Sequence, residues 1–328
     1  MLLVLLPLAG LLVSLGEPAP FEVESSPLRA LITDSAAVPL LLKTLLLALF
    51  VGAGSLVLGT TLAWADARLE FKGRRLLAVL SLLPLAMPSY VLAATMAQSI
   101  GPGGWVGRPL GLSTPNGFPL AIAVLVIITT PLVQLIVSAA LARSSAAEEE
   151  AARCLGASPW RVFYEIVLPR LRPALALAGL LSMLYAVSDF GAVAVLDVPV
   201  LTWRLYDAVR GQEIARAAML GLATLGATLP LFVAARMIRG KHNPITGVAN
   251  PRPPARITPG LTPWLATVTV FGVVIAGGLA LPTMTLLGWV MQGLQQNLAF
   301  ASPWPALGHT LLAALVGTSL TLLLVALP

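Results

Sequence analysis

Long apolar runs alternate with short polar segments along the whole chain, and most of the runs are too long to be strands. A helix rises 1.5 Å per residue, so about 20 residues cross the roughly 30 Å hydrocarbon layer of a bilayer. Eight runs meet or approach that length, at residues 1–16, 39–64, 76–98, 118–142, 173–197, 217–238, 263–288 and 306–328. They predict an all-α, polytopic transmembrane helical bundle of about eight spans. The first run is short, has no basic segment before it and no small-residue cleavage site before Glu17. It reads as a clipped transmembrane helix and not as a signal peptide. With the last run reaching Pro328, the first and last spans are both expected to be incomplete.

The polar segments carry a strong bias of sign. Fourteen of the 20 Lys and Arg fall in three alternate loops: Arg68, Lys72, Arg74 and Arg75; Arg143, Arg153, Arg161, Arg170 and Arg172; Arg236, Arg239, Lys241, Arg252 and Arg256. Basic residues accumulate on the cytoplasmic side of membrane proteins, which makes these loops, and the N-terminus, cytoplasmic. The opposite side keeps Arg29, Lys43, Arg108, Arg204, Arg210 and Arg216, and its first loop adds Glu17, Glu22, Glu24 and Asp34.

Composition agrees with lipid as the solvent. The chain is 58% hydrophobic and 10% charged, with mean hydropathy +0.91, more apolar surface than a water-soluble core can hide. The net charge of +6 is accounted for by the loop bias, so no nucleic acid is expected as partner. Cys154 is the single cysteine and has no intrachain disulfide partner; with His242 and His309 far apart, no metal-ligand spacing appears either.

Two stretches look like copies of one another. Pro39 to Leu49 reads PLLLKTLLLAL and Pro305 to Leu315 reads PALGHTLLAAL, an offset of 266 that pairs Pro39 with Pro305 and Thr44 with Thr310. Internal repeats are a common way to build transporters. Between the copies, residues 240–262 are polar and proline-rich, the composition of a linker. The expected division is therefore a first helix with its loop at 1–38, a transmembrane domain at 39–238, a cytoplasmic linker at 239–262 and the start of a second, truncated repeat at 263–328.

The loop at 143–172 has its own grammar, EEEAARCLGASPWRVFYEIVLPRLRP over residues 148–173. Gly156 can adopt the left-handed conformation that stops a helix. Ser158 is placed to cap a second helix with Pro159 in its first position, and Pro169 is expected to end it. Trp160, Phe163 and Tyr164 then share a face, and Glu148, Glu149 and Glu150 lie near the positive end of the first helix.

The spacing E-A-A-x3-G-x9-I-x-L-P within this loop resembles the signature of binding-protein-dependent ABC importer permeases, with Glu150, Ala151, Ala152, Gly156, Ile166, Leu168 and Pro169 at every defined position. The resemblance implies the MetI-like ABC importer permease fold, an inner-membrane location and no enzymatic activity in the chain itself. It implies that the loop docks on a separate ABC ATPase subunit, present as a dimer, and that a periplasmic substrate-binding protein delivers the cargo. No cofactor is expected on this chain, because Gly240-Lys241-His242 lacks the glycine spacing and hydroxyl of a nucleotide-binding loop, and ATP is left to the partner subunit. Pro84 to Tyr90, Gly101 to Gly104 and Ser188 to Gly191 resemble the ferric-iron branch, in which two permease halves are fused; thiamine permeases share that plan. The resemblance covers most of residues 39–238. An ATP-independent secondary transporter is the competing reading, and it has no mechanical need of the loop.

Three further residues stand out as candidates for a translocation pathway. Asp189 is a carboxylate inside an apolar run, where a charge facing lipid is costly, so it lines a pathway, reaches the outer interface or caps a neighbouring helix. Pro84 and Pro88 each remove a helix hydrogen bond and kink the span at 76–98, for gating or for packing.

Overall fold

The computed structural model describes residues 37–111, 117–143, 146–239, 256–296, 302 and 304–326. The expected span at 1–16, its loop and most of the linker lie outside the described residues. Among those described, six helices are long and apolar enough to cross a membrane, or seven if one sharply bent pair counts as a single span. No strand occurs among them; Leu69 and Ile257 form an isolated parallel pairing.

The first described helix, α1 (Ala37–Arg68), has 32 residues. At 1.5 Å per residue it is about 48 Å long, well beyond the ~30 Å of hydrocarbon, so its last turns project past the bilayer. Three glycines let it lie close to its neighbours. At Gly59 an added Cβ would sit 2.6 Å from Val133 Cβ and 2.8 Å from the Thr130 carbonyl oxygen. Such close approach is how helices associate in lipid, where the hydrophobic effect gives no push.

The run at 76–98 bends at its prolines, far more sharply than a simple kink. It consists of α2 (Arg74–Leu80), a 3-10 turn at Leu83–Ala86 and α3 (Ser89–Ile100), the two arms meeting at 103°. Pro84 is buried in the turn, and Pro88, extended at φ −61° and ψ 135°, starts α3. Two prolines four residues apart remove too many ladder bonds for a helix to persist between them. The Ser81 hydroxyl, buried beside the break, donates to Gln134 Oε1 at 3.0 Å.

After a one-turn helix α4 (Gly107–Leu110) the chain enters α5 (Gly117–Ala142), the most buried span, which carries Pro131 within it. The polar loop helices α6 (Ala146–Cys154) and α7 (Pro159–Val162) follow, then a π-turn at Phe163–Val167 and α8 (Leu168–Ser188). Next come the short α9 (Gly191–Val195), the amphipathic α10 (Leu201–Arg210) and the span α11 (Ile214–Arg239). A main core forms where α1, α3, α5 and α8 meet, around Leu47, Val51, Leu92, Val124, Leu125 and Ile128.

Beyond the linker, α12 (Leu261–Ile275) runs through a π-turn at Ala276–Ala280 into α13 (Leu281–Gln295), and α14 (Trp304–Ala326) is the last helix. The chain divides into two compact units at Thr285. Residues 261–285 belong to the first, with Phe271 and Val274 buried against Leu62, Ala65 and Leu69 of α1. In the second unit the described side chains of α14 are exposed. The pair Thr44 and Thr310 share a local geometry: each hydroxyl donates 2.9 Å to the carbonyl four residues back, that of Leu40 and of Ala306.

Described residues of the three basic loops meet at one end of the first unit. Arg68 pairs with Glu149, and Glu70 with Arg256 and Ile257, while at the opposite end Thr44 receives the Leu201 N–H at 3.1 Å.

Candidate functional site

The loop after α5 folds from local rules. Helix α6 closes on Gly156, whose φ of +84° is left-handed. The Gly156 N–H donates to the Arg153 carbonyl at 2.9 Å and the Ala157 N–H to the Ala152 carbonyl at 3.0 Å, the two bonds of a Schellman ending. Nothing lies within 4 Å of a Cβ built at Gly156, so backbone conformation and not space demands glycine there. One turn on, Ser158 Oγ accepts the Arg161 N–H at 3.3 Å and starts α7 with Pro159 in its first position.

Pro169 does not end the second helix, contrary to expectation. The π-turn sends the Leu168 N–H to the Phe163 carbonyl, five residues back, immediately before the residue that has no N–H to give. Pro169 then occupies the first turn of α8, where the missing donor costs little. The second arm of the elbow and the following span are one rod, and Phe163–Ser188 qualifies as a single crossing.

The signature residues separate into two groups. Glu150, Ala151 and Gly156 are exposed, and beside them Leu155, which the sequence reading passed over, is 89% exposed. Ala152 and Ile166 pack instead on a cluster of Ala63, Val133, Val137, Leu141, Val162, Val167 and Leu171; Leu168 and Pro169 are half-buried. The motif thus has an outward tip and an inward root. Of the predicted aromatic face, Phe163 meets Trp64 of α1 edge to face at 6.1 Å and Tyr164 is exposed; the side chain of Trp160 lies outside the described residues.

The pair that ties the root down was missed. Glu149 and Arg68 are each 2% exposed. Arg68 Nη2 reaches Glu149 Oε1 at 2.6 Å and its Nε reaches Oε2 at 3.2 Å, a two-pronged pair, while Arg153 Nη2 lies 3.5 Å from Oε2. Glu148 pairs with Arg170 nearer the surface. The readable signal was three consecutive glutamates on a helix: at 100° per residue they cannot all face water if the helix packs on anything.

The pathway candidates lie elsewhere. Asp189 is not deep in a span; it closes α8, and its Oδ2 accepts the Ala192 N–H at 2.9 Å at the start of α9. Its carbonyl accepts the Thr202 hydroxyl at 3.2 Å. A Cβ at Gly191 would stand 2.6 Å from Ser89 Oγ, so this turn rests on the start of α3, next to Pro88. Pro84 faces another neighbour, 2.5 Å from where a Cβ would stand on Gly278 in the π-turn of the 261–295 span. A cavity of about 530 Å³ opens between α5, α8 and α11, lined by Leu132, Leu181, Tyr185, Ser188, Thr224 and Thr228 among others, and none of the three candidates borders it.

Residues 55–244 match the family described as Binding-protein-dependent transport system inner membrane component. The chain is 30% identical over 194 residues to the probable sulfate transport system permease protein cysT of Prototheca wickerhamii, covering 56% of this chain and 75% of that one. It is 33% identical over 196 residues to the sulfate transport system permease protein CysT of Escherichia coli, covering 58% and 69% respectively. Among solved structures, a bacterial alginate ABC transporter in complex with alginate pentasaccharide-bound periplasmic protein superposes with a TM-score of 0.60 at 17% identity, over 74% of this chain and 90% of that one. This likeness concerns the fold.

Proposed function

The chain belongs to the binding-protein-dependent transport system inner membrane components, and from that premise we propose that it is the permease of an ATP-driven importer whose elbow at 146–162 seats on a separate ATPase subunit. The family makes it a multi-pass membrane transport component and not an enzyme. The observation that carries the docking role is the tip: Leu155, a large apolar side chain, is 89% exposed beside a left-handed Gly156 and the exposed Glu150 and Ala151. An apolar knob held out on a rigid elbow, at the end where the basic loops gather, suits a protein partner more than lipid. On this reading the elbow is cytoplasmic, and a periplasmic binding protein meets the opposite face.

For the cargo we propose an inorganic oxyanion of the sulfate class. The relatives named above are described as sulfate permeases, which gives no support to the ferric-iron expectation drawn from Pro84–Tyr90 and Ser188–Gly191. Uptake of labelled sulfate and of ferric iron, in cells that depend on the gene together with its ATPase and binding protein, tests this. ATP-dependent sulfate uptake is expected; iron uptake without sulfate uptake would reverse the assignment.

A further inference from the structure

We propose that Arg68 and Glu149 form a strut that makes the elbow, the projecting end of α1 and the segment leading into α12 move as one body. The proposal rests on the docking role of the elbow and says where the force applied there goes.

Three observations converge on the last turn of α1. The first is the two-pronged Arg68–Glu149 pair, with both side chains 3% exposed and Arg153 as a second cation on the same carboxylate. A guanidinium and a carboxylate held along two parallel bonds resist rotation as well as separation. Burial removes the water that would let either group exchange partners. The second lies one helical turn earlier on the same face of α1, where Trp64 meets Phe163 across the root of the elbow.

The third is on the backbone of the same residue. The Arg68 carbonyl accepts the Ile257 N–H at 2.9 Å, and the Glu70 N–H donates to the Ile257 carbonyl at 3.0 Å. Arg256 adds a 3.4 Å contact to Glu70. Four residues later α12 begins, and it packs along α1 through Phe271 and Val274. Arg68 therefore holds the elbow with its side chain and the entry to the next span with its main chain. By contrast, Arg161–Glu165 of the second arm is an exposed pair within one segment and ties nothing to anything else.

Arg68 and Glu149 are positioning residues on this account. Cys154, the single cysteine, is exposed at the end of α6 and serves as one labelling site; Ile257→Cys supplies the other, since Ile257 acts through its main chain. The full chain, reconstituted with its ATPase subunit, is spin-labelled at both positions, and the distance distribution is measured without nucleotide and with ATP plus vanadate. The parent is expected to give one narrow distance, the same in both states. Glu149→Gln is expected to broaden it about twofold and to make it depend on nucleotide. Should that variant fail to accumulate, Arg68→Lys keeps the charge but loses the fork, and the same broadening is expected. Narrow distributions in the variants, or a parent distance that shifts with nucleotide, would overturn the strut. Capture of the ATPase subunit is read on the unlabelled parent, because Cys154 adjoins the docking tip: a parent that fails to hold it defeats the docking role, and the nucleotide-free distances still test the strut.

Discussion

Two of the breaks in helical order in the first unit are built in opposite ways. At the elbow the break turns on one glycine in open space: Gly156 has no neighbour to accommodate, and the chain around it is exposed. At residues 81–88 the break is made by Pro84 and Pro88 and is packed on several sides, with Ser81 bonded to Gln134, Pro84 against Gly278 and Ser89 against Gly191. An exposed break offers itself to a partner. A packed one is held by its neighbours and can change only if they change too, which is the physical meaning of a gating candidate at Pro84 and Pro88.

The largest effect is expected at the root of the exposed break. Glu149→Leu leaves Arg68 buried without its carboxylate, a loss of about 3–5 kcal/mol, read as reduced thermal stability of the purified chain in detergent. Next comes the packed break. Gly278→Leu drives a side chain into Pro84 and Ile127, costing about 1–3 kcal/mol and changing transport through the bend while ATPase capture is retained. Gly156→Val forces a β-branched residue into φ +84°, about 1–3 kcal/mol of local strain. Its expected signature is weakened ATPase capture with the spans folded, and ATP-driven uptake lower by at least tenfold, about 1.4 kcal/mol of coupling. Asp189→Asn keeps an oxygen for the Ala192 N–H and loses only charge, so a change of about 0.5 kcal/mol or less is expected for a capping role. Normal stability with lost uptake would place Asp189 in the pathway instead. Smallest of all, Glu165→Ala removes half of an exposed pair and should leave stability and uptake within error.

Much of this was legible in sequence because the determining signals are local. Hydropathy located six of the eight expected runs as membrane-length helices among the described residues, since a bilayer tests every 20 residues separately. The elbow was legible from Gly156, Ser158 and Pro159, each of which acts on its own backbone. What escaped was non-local or compensated. Pro84 and Pro88 signal a kink, but its sharpness, 103°, is invisible to hydropathy because Leu82 to Met87 are apolar throughout. Pro169 was read as a stop, but a π-turn one residue earlier shifts the hydrogen-bond ladder around it. The apolar run continues past Asp189, which makes it interior by hydropathy, whereas the helix ends at Ser188. Arg68 was counted as a topology charge; that it also meets Glu149, 81 residues away, is a fact of packing that no window of sequence contains.

The central claim is that the exposed elbow is where the ATPase subunit sits, and Leu155→Asp tests it most directly. The substitution adds a charge at a side chain that is 89% exposed, so it leaves the fold untouched and strikes only at whatever covers that knob. The tagged chain and its variant, co-expressed with the ATPase subunit and purified from membranes, should be recovered in equal amounts, the parent with the ATPase bound and the variant without it. Equal capture of the ATPase by both would contradict the account.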